Sequence, residues 1–214
     1  MENREAIAAE KARLRQEILR HRGGLDEGER MRAGAEARER LLALPEVAAA
    51  GRIFTCLSFG SELDTWGLVD RLLAEGREVY VPRADLGDGL LHVHRYPCAL
   101  RTLSFGLRQP KEGEPEVAAA AIDATLEAAI VLGVAYDRCG FRLGYGSGFF
   151  DRFLAGRPFP AIGLTFAEQI VQRLPSAPHD VPMDILVSEA EAYQPAGLRP
   201  STTETGSPPA SGIR

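Results

Sequence analysis

The sequence lacks several features that define whole classes of protein. Its three cysteines are scattered and form no CxxC pair, so a disulfide scaffold is excluded and a reducing environment is expected. No apolar run approaches the roughly 20 residues that a bilayer crossing needs. The N-terminal stretch MENREAIAAEKARLRQEI has no apolar segment of the kind found in secretion signals. We therefore expect a cytoplasmic protein that does not associate with a membrane.

Basic residues are also fewer than acidic residues. The 214 residues include 25 Lys and Arg against 30 Asp and Glu, which gives a formal net charge of −5. Because nucleic-acid-binding proteins usually present a basic surface, nucleic acid is not expected as a partner. The composition is otherwise globular, with 45% hydrophobic and 26% charged residues. A chain of this length can bury a core without a disulfide or a metal to hold it together.

Signatures of covalent catalysis are absent. The sequence contains no GxSxG, no HExxH and no paired Cys–His arrangement, so no covalent nucleophile is expected. His92, His94 and Cys98 could form half of a zinc site. However, three such residues in one alternating strand, without a complementary ligand pair, are more often part of a surface strand. The sequence therefore predicts no catalytic residue that bonds covalently to a substrate.

Hydrophobic periodicity predicts helices that alternate with strands. Helices are predicted over residues 4–22, 26–44, 64–75, 149–155 and 166–173, and strands over residues 52–58, 78–82, 90–96, 128–136, 161–165 and 184–188. The stretch 128–136 is nearly all apolar, as expected for a central strand covered on both faces. The alternation predicts an α/β fold, a single three-layer domain over residues 1–190 with a mainly parallel sheet. Residues 191–214 are rich in Ser, Thr, Pro and Gly and are predicted to form a disordered tail.

The most informative segment is DRCGFRLGYGSGFFD at residues 137–151. Gly144, Gly146 and Gly148 alternate between the most apolar strand and a predicted helix. Ligands of open α/β sheets bind beyond the carboxyl ends of the strands, where such loops lie. The spacing matches neither a Walker loop nor the GxGxxG fingerprint. The glycines fit a phosphate-binding loop and a tight strand-to-helix turn about equally well.

Three carboxylates could serve a ligand or only the fold. Asp151 would repel an anion bound at the glycine loop unless a hard cation such as Mg²⁺ lay between them, but it could instead cap the helix. Asp184 stands beside the apolar Ile185–Val187 and is expected to have a partner, which could be a metal or, more simply, an arginine. Glu62 follows a predicted strand and could face a cleft or act as a capping residue.

The first helix carries a cation within its apolar face. Ile7, Lys11, Leu14 and Ile18 share one stripe, and Arg15 flanks it. Lys11 and Arg15 could reach over the apolar edge to an anionic ligand. Alternatively, their stems could be buried while the charged ends remain in water.

Five segments resemble the 5-formyltetrahydrofolate cyclo-ligase (5,10-methenyltetrahydrofolate synthetase) family. In the family's order and approximate spacing they are KARLR at 11–15, LSFGSELDT at 57–65, QP at 109–110, RLGYGSGFFDRFL at 142–154 and DVPMDILVSE at 180–189. The pairing of GYGxGxxD with a later DxPxD is specific. The resemblance implies a single α/β domain whose layout is similar to that of phosphosugar isomerases and CoA transferases.

The resemblance also implies an ATP-dependent reaction. The formyl oxygen of 5-formyltetrahydrofolate attacks the γ-phosphate of MgATP, N10 then closes the ring, and phosphate leaves to give 5,10-methenyltetrahydrofolate and ADP. Such phosphoryl transfer needs positioning and charge neutralisation rather than a protein nucleophile. The expected protein is a monomeric, cytoplasmic ligase of one-carbon metabolism. The alternatives are a paralogue that uses MgATP on another formyl or acyl substrate, and a non-catalytic nucleotide-binding module.

Carried over position by position, the resemblance implies three groups of site residues. The nucleotide would be bound by Lys11, Arg15, Arg142, Leu143, Gly144, Tyr145, Gly146, Ser147, Gly148, Phe149 and Phe150. The folate would be contacted by Arg15, Leu57, Glu62, Phe105, Tyr145 and Phe149. Mg²⁺ would be coordinated by Asp151 and Asp184.

The chain departs from the family pattern at the ligand wall. Phe149 and Phe150 stand where tyrosine is usual, Phe105 stands where tryptophan is common, Leu132 replaces a proline, and Ser147 replaces glycine or lysine. Phenylalanine stacks as tyrosine does but offers no hydroxyl group. The phosphate and metal residues are complete, so these departures bear on folate affinity and substrate identity more than on the use of ATP.

Overall fold

The computed structural model of the protein describes residues 2–196. The helices are α1 (Glu2–Gly23), α2 (Glu27–Leu42), α3 (Pro45–Ala48), α4 (Trp66–Ala74), α5 (Ile122–Thr125) and α6 (Phe149–Leu154). The strands are β1 (Arg52–Thr55), β2 (Glu78–Ala84), β3 (Leu91–Tyr96), β4 (Leu100–Thr102), β5 (Arg108–Pro110), β6 (Ala128–Val131), β7 (Ala135–Asp137), β8 (Arg142–Leu143), β9 (Ala161–Leu164), β10 (Ile170–Val171), β11 (Ile185–Val187) and β12 (Ala192–Tyr193).

Seven strands form the main sheet, in the order β12-β11-β9-β6-β1-β2-β3. The strands from β11 to β2 are parallel, while β3 and β12 pair antiparallel at the two edges. Smaller sheets are formed by β10, β7 and β8 and by β4 and β5. Parallel neighbours require crossover connections, and these place helices against the sheet. The α/β class with a mainly parallel sheet is thereby confirmed.

The core lies on both faces of this sheet. Successive residues of β1 alternate between two clusters of buried residues, Ile53 in one and Phe54 in the other. The first cluster includes side chains of α2 and α4, such as Leu41 and Leu68. The second includes side chains of α5 and α6, such as Phe153. The two apolar layers fix the strand ends from which the site loops emerge.

The apolar stretch 128–136 is two strands, so the prediction of one strand was wrong. β6 ends at Val131, and β7 begins at Ala135 in a different sheet. The hydroxyl of Tyr136 donates to the carbonyl oxygen of Val131 at 2.6 Å. A Cβ at Gly133 would lie 2.9 Å from Cγ of Arg142 and 3.1 Å from the Tyr136 ring, so glycine leaves room for these side chains between the two strands. The apolar pattern did not reveal the break because both strands are buried.

The helix predicted over residues 166–173 is also wrong. A single 3₁₀ turn at Ala167–Gln169 is followed directly by β10, which pairs with β7. The Gln169 side chain accepts from the Phe166 amide at 3.2 Å and donates to the carbonyl oxygen of Val134 at 2.7 Å. These buried bonds hold the turn against the segment between β6 and β7, and the next residues, Ile170 and Val171, pair with β7 and do not continue the helix.

Most other predicted elements are present, with ends shifted by three residues or fewer. Asp26 caps α2 as expected, since its carboxylate accepts from the amide of Glu29. Pro45, predicted to stop that helix, also begins α3, because proline is well tolerated in a first helical turn.

The sheet continues past residue 190, the predicted end of the domain. β12 pairs with β11, with Tyr193 opposite Leu186. The remainder of the predicted tail, residues 197–214, lies outside the described residues. Over the described part of the chain, no helix combines the length and the apolar character needed to cross a membrane.

Candidate active site

The glycine-rich loop between β8 and α6 is approached by three arginines. A Cβ added at Gly144, Gly146 or Gly148 would lie 2.5 Å from Arg142 Nη1, 3.5 Å from Arg15 Nη2 and 2.9 Å from Arg152 Nη1, respectively. The cations come from β8, α1 and α6. A Cβ at the first or third glycine would force the neighbouring guanidinium group to shift, so the lack of side chains allows the arginines to approach this backbone closely.

Two of these glycines also have backbone conformations that other residues rarely adopt. Gly146 has φ of 111°, and Gly148, which caps α6, has φ of 65°. A side chain at either position would therefore be strained. The sequence left open a phosphate-binding loop and a tight strand-to-helix turn. The structure has features of both, because the loop turns tightly and charged groups approach its backbone.

Lys11 and Arg15 connect α1 to this region. The Nε of Arg15 donates to the carbonyl oxygen of Gly144 at 2.8 Å. The Nζ of Lys11 lies 2.6 Å from Oδ2 of Asp180. Both charged ends are therefore held by protein groups, and they do not extend freely into water. Asp180 was not among the predicted site residues, although it begins the DVPMD segment.

Asp151 faces Arg142 and does not cap its own helix. Its Oδ2 lies 3.4 Å from Nη2 of Arg142, and its Oδ1 accepts from the amide of Val181 at 3.1 Å. The Asp151 side chain is 14% exposed. The Nε of Arg142 is buried and has no hydrogen-bond partner among the described residues. A carboxylate and an arginine with an unused donor thus lie side by side at the base of the loop.

Asp184 is held by the main chain at the amino ends of β9 and β11. Its Oδ2 accepts from the amide of Ala161 at 2.7 Å, and its own amide donates to the carbonyl oxygen of Ala161 at 2.8 Å. One partner of the Asp184 carboxylate is therefore a backbone amide. Asp151 contacts the same segment three residues earlier, at Val181.

Glu62 is tied both to its own turn and to the glycine loop. Its Oε1 accepts from the hydroxyl of Tyr145 at 2.8 Å, and its Oε2 accepts from the amide of Phe59 at 3.0 Å. Burial raises the pKa of Glu62, while these two hydrogen bonds and the positive charge of Arg22 act to lower it. Glu62 therefore closes the turn that begins at Phe59 without capping a helix, and its carboxylate also reaches the glycine loop.

An aromatic cluster lies beside this carboxylate. The ring of Phe59 is 5.6 Å from that of Phe105 and 5.5 Å from that of Tyr145. Phe105 is 60% exposed and Tyr145 is 46% exposed, which is unusual for side chains of this size. Exposed rings next to a carboxylate suit a flat heterocycle that carries N–H donors. Leu57, expected to touch the folate, is instead 2% exposed and packs in the core.

The remaining loop residues act largely as packing groups. Arg152 lies over the ring of Phe149 at 5.2 Å, and Arg142 lies over the ring of Phe150 at 5.1 Å. Leu143 is buried. Ser147 contributes its carbonyl oxygen, which accepts from Nη2 of Arg152 at 2.9 Å.

Three further residues of the site were not among those expected from sequence: Phe59, Arg152 and Arg22. Arg22 is buried and donates to both Ser61 and Tyr145. Arg22 could have been predicted from the sequence. Residues at i, i+4 and i+11 share one face of a helix, and Lys11, Arg15 and Arg22 have that spacing. Phe59 and Arg152 have no comparable periodic signal.

The possible zinc ligands do not come together. The ring nitrogens of His92 lie 2.9 Å from Asp88 and 2.7 Å from Glu116, whereas the Nδ1 of His94 lies 2.9 Å from a backbone carbonyl. Of the side chains that the structure describes, the one group of three suited to a metal is Asp85 and Asp88 in the turn after β2 together with His92 of β3. Asp85 there is already paired with an arginine.

The sequence model of the 5-formyltetrahydrofolate cyclo-ligase family matches residues 7–189. This chain belongs to that family. The resemblance noted from the sequence is thereby confirmed, and so is the assignment of the protein as a ligase. The match covers most of α1, the glycine loop and the DVPMD segment, which are the elements that the site brings together.

Named cyclo-ligases from distant organisms align over most of their length. The probable 5-formyltetrahydrofolate cyclo-ligase of Caenorhabditis elegans is 28% identical over 200 residues, covering 87% of this chain and 96% of that protein. The cyclo-ligase of Mycolicibacterium smegmatis is 32% identical over 181 residues, covering 81% and 90%. The solved structure of Aquifex aeolicus 5,10-methenyltetrahydrofolate synthetase is 29% identical, with a TM-score of 0.73 and coverage of 88% and 94%. The cyclo-ligase fold therefore extends over nearly the whole described chain.

Proposed function

We propose that this cyclo-ligase family member catalyses the ATP-dependent cyclisation of 5-formyltetrahydrofolate to 5,10-methenyltetrahydrofolate, with release of ADP and phosphate. One observation carries the proposal: a single loop adjoins arginine side chains at its glycines and a carboxylate with an aromatic cluster at Tyr145. Its glycines face arginine guanidinium groups, while its Tyr145 hydroxyl binds Glu62 within an aromatic cluster. A cationic site for phosphates thus adjoins a carboxylate-containing site for a heterocycle.

The phosphate side consists of donors that remain charged at neutral pH. Guanidinium groups cannot accept hydrogen bonds, so Arg15 and Arg142 present only positive charge and N–H groups to a nucleotide. The Nε of Arg142 is buried and has no hydrogen-bond partner among the described residues, so the positive charge of this side chain is only partly neutralised by Asp151. Lys11 would share its charge between Asp180 and a phosphate. Fixed cations of this kind stabilise the charge that develops on the transferring phosphoryl group.

Mg²⁺ is proposed to be held by Asp151 and Asp184. Mg²⁺ prefers hard oxygen ligands and commonly takes one or two carboxylates together with phosphate oxygens. Asp151 fits because its largely buried carboxylate lies next to Arg142, on the phosphate side. An ionised carboxylate has about four lone-pair sites, so the hydrogen bond from Ala161 to Asp184 is compatible with a metal contact. When bound, the ion would neutralise part of the phosphate charge.

The folate side selects and orients the pterin. Glu62 is an acceptor for N–H groups of the heterocycle, and Phe105 and Tyr145 offer exposed ring faces on which it stacks. Phe149 and Phe150 contribute ring surface without hydroxyl groups. The protein thereby places the formyl oxygen near the γ-phosphate, which is the main contribution that positioning can make to such a reaction.

The two steps then need no covalent bond to the protein. The formyl oxygen attacks the γ-phosphorus, and the bond to ADP breaks. N10 next attacks the activated formyl carbon and gives up its proton, and the carbon–oxygen bond breaks as phosphate leaves. The residues bind, orient and neutralise charge throughout, in keeping with the lack of nucleophile motifs.

The test is the absorbance of the methenyl product. Purified protein with 5-formyltetrahydrofolate and MgATP is expected to form that product together with one equivalent of ADP. ATP binding without cyclisation would instead favour a paralogue acting on another formyl or acyl substrate, a possibility raised by Phe105, Phe149 and Phe150. We further propose that the protein is a cytoplasmic monomer. Light scattering tests the monomeric state, because it measures the molar mass of the protein in solution.

A further inference from the structure

A buried arginine of α1 lies behind the folate side of the site. Arg22 is 3% exposed, and arginine is rarely buried to this degree without partners. Its Nε donates to the hydroxyl oxygen of Ser61 at 3.1 Å, and its Nη2 donates to the hydroxyl oxygen of Tyr145 at 3.2 Å. Both partners adjoin Glu62, since Ser61 precedes it in the chain and Tyr145 binds its carboxylate.

The direction of each hydrogen bond in this chain is fixed by chemistry. A guanidinium group only donates, so Arg22 must occupy a lone pair of the Tyr145 oxygen. The single hydroxyl proton of Tyr145 is then directed to Oε1 of Glu62, 2.8 Å away. The amide of Phe59 donates to Oε2. Glu62 thus receives a donor on each oxygen, an arrangement suited to an ionised carboxylate.

We propose that Arg22 is a positioning residue for the folate side: acting through Tyr145, it keeps Glu62 an acceptor on both oxygens. The site would therefore select a substrate edge that presents adjacent N–H donors, such as the 2-amino and N3–H groups of a pterin. A protonated Glu62 would present a donor of its own to such an edge, and a site built for hydrogen bonds discriminates strongly against mismatched groups. This inference rests on the proposed function.

The charges around Glu62 set the direction of the pH dependence. Burial raises the pKa of Glu62, and the positive charge of Arg22 is among the influences that lower it. The negative charge of Glu62 in turn acts on Tyr145, Cys56 and Tyr136, and the pKa of each of these groups is raised. Substrate binding to ionised Glu62 weakens as the pH falls through its pKa. Removing Arg22 raises that pKa further, so binding should begin to weaken at a higher pH.

The experiment compares Arg22→Met, Arg22→Lys, Tyr145→Phe and the double variant Arg22→Met/Tyr145→Phe. Initial rates give KM for 5-formyltetrahydrofolate and for ATP over a range of pH. Arg22→Met should raise the folate KM roughly tenfold to a hundredfold, the scale of a lost charged hydrogen bond, and leave the ATP KM within about twofold. Arg22→Lys should rescue much of the loss. The double variant should be no worse than the more impaired single variant, because both substitutions interrupt one chain of bonds.

Ser61→Ala is the matched control. It removes the other hydrogen bond of Arg22 and leaves the bonds from Arg22 through Tyr145 to Glu62 intact, so the folate KM and its pH profile should change little. A purely structural role would lower the melting temperature and alter both KM values together, with Ser61→Ala resembling Arg22→Met. If Arg22→Met does not fold, Arg22→Lys and Tyr145→Phe still carry the comparison.

Wild-type activity separates the two proposals. If the wild type turns over 5-formyltetrahydrofolate and the folate KM and pH profile do not depend on Arg22, the inference is overturned and the function stands. If the wild type forms no methenyl product, the proposed function fails. Calorimetric titration of each variant with 5-formyltetrahydrofolate in the absence of ATP then tests Arg22 alone, with weaker binding by Arg22→Met supporting the inference and equal binding refuting it.

Discussion

The ammonium group of Lys11 lies 2.6 Å from a carboxylate oxygen of Asp180, which stands 169 residues later in the chain. The same oxygen accepts from the amide of Ala177 at 2.7 Å, and the Asp180 side chain is largely buried. This pair joins the first helix to the segment that also carries Val181 and Asp184. A nucleotide phosphate that approaches Lys11 must therefore share the cation with Asp180.

Replacing Asp180 should affect both stability and nucleotide binding. Asp180→Asn weakens the charged contact with Lys11, and loss of such a bond costs about 1.5–3 kcal/mol of unfolding free energy. Asp180 also positions the Lys11 ammonium group, and we expect the loss of that positioning to outweigh the end of the competition for its charge, so the KM for ATP should rise. Urea denaturation and initial rates measure the two effects. Asp123→Asn, which breaks an exposed pair with Arg157, is the control and should change neither value appreciably.

Arg152 should matter for ATP more than for folate. Its Nη2 donates to the carbonyl oxygens of Ser147 and Gly89, so it fastens the glycine loop to the turn between β2 and β3. Arg152→Ala is expected to raise the KM for ATP severalfold, because it removes both a cation and a restraint on the loop. Arg157→Ala, which changes an arginine three residues beyond the end of α6 that forms its hydrogen bonds away from the glycine loop, is the comparison. Equal ATP KM values for the wild type and Arg152→Ala would refute this role.

Enlarging the exposed ring at position 105 should strengthen folate binding. Phe105 packs edge-on against Phe59, and most of its surface is open to solvent. An aromatic contact contributes about 0.5–1.5 kcal/mol, so Phe105→Trp should lower the folate KM roughly twofold to tenfold and Phe105→Ala should raise it by a similar factor. The melting temperature should hardly change, because the ring is exposed. An unchanged folate KM in both variants would place the pterin elsewhere.

The thiol of Cys56 should resist alkylation. Burial raises the pKa of Cys56 to about 12, so almost no thiolate is present at pH 8. The thiolate is the reacting form, and its fraction grows as the pH approaches that pKa. Mass spectrometry after iodoacetamide treatment should find Cys56 unmodified in the native protein and modified after unfolding in urea. Rapid labelling of native Cys56 at pH 8 would show that the end of β1 opens more readily than its packing indicates.

Local patterns were sufficient to predict the features that depend on short stretches of sequence. The alternating glycines, the cations on α1 and the order of most helices and strands can each be recognised within a short segment of the sequence. The loop conformation at Gly148 follows from such a pattern. The helical spacing placed Lys11 in the apolar stripe of α1 with Arg15 beside it and left open whether their charged ends meet the site or water; both are held by protein groups next to the loop.

Features set by distant contacts could not be predicted in this way. Asp180 matters because Lys11 reaches it from the other end of the chain, and Arg22 matters because the turn holding Ser61 closes over it. The division of residues 128–136 into two strands depends on Tyr136 folding back onto Val131. Hydropathy alone cannot reveal this fold-back, because both halves of the stretch are equally apolar.

The most direct test of the whole account is the Mg²⁺ dependence of methenyl formation in the wild type and in Asp151→Asn. Asp70→Asn, a change at an exposed carboxylate of α4, serves as the matched control. The account predicts that the wild type and the control form one ADP per methenyltetrahydrofolate only when Mg²⁺ is present, whereas Asp151→Asn remains folded and loses nearly all turnover. Mg²⁺-independent product formation, or full activity of Asp151→Asn, would contradict it.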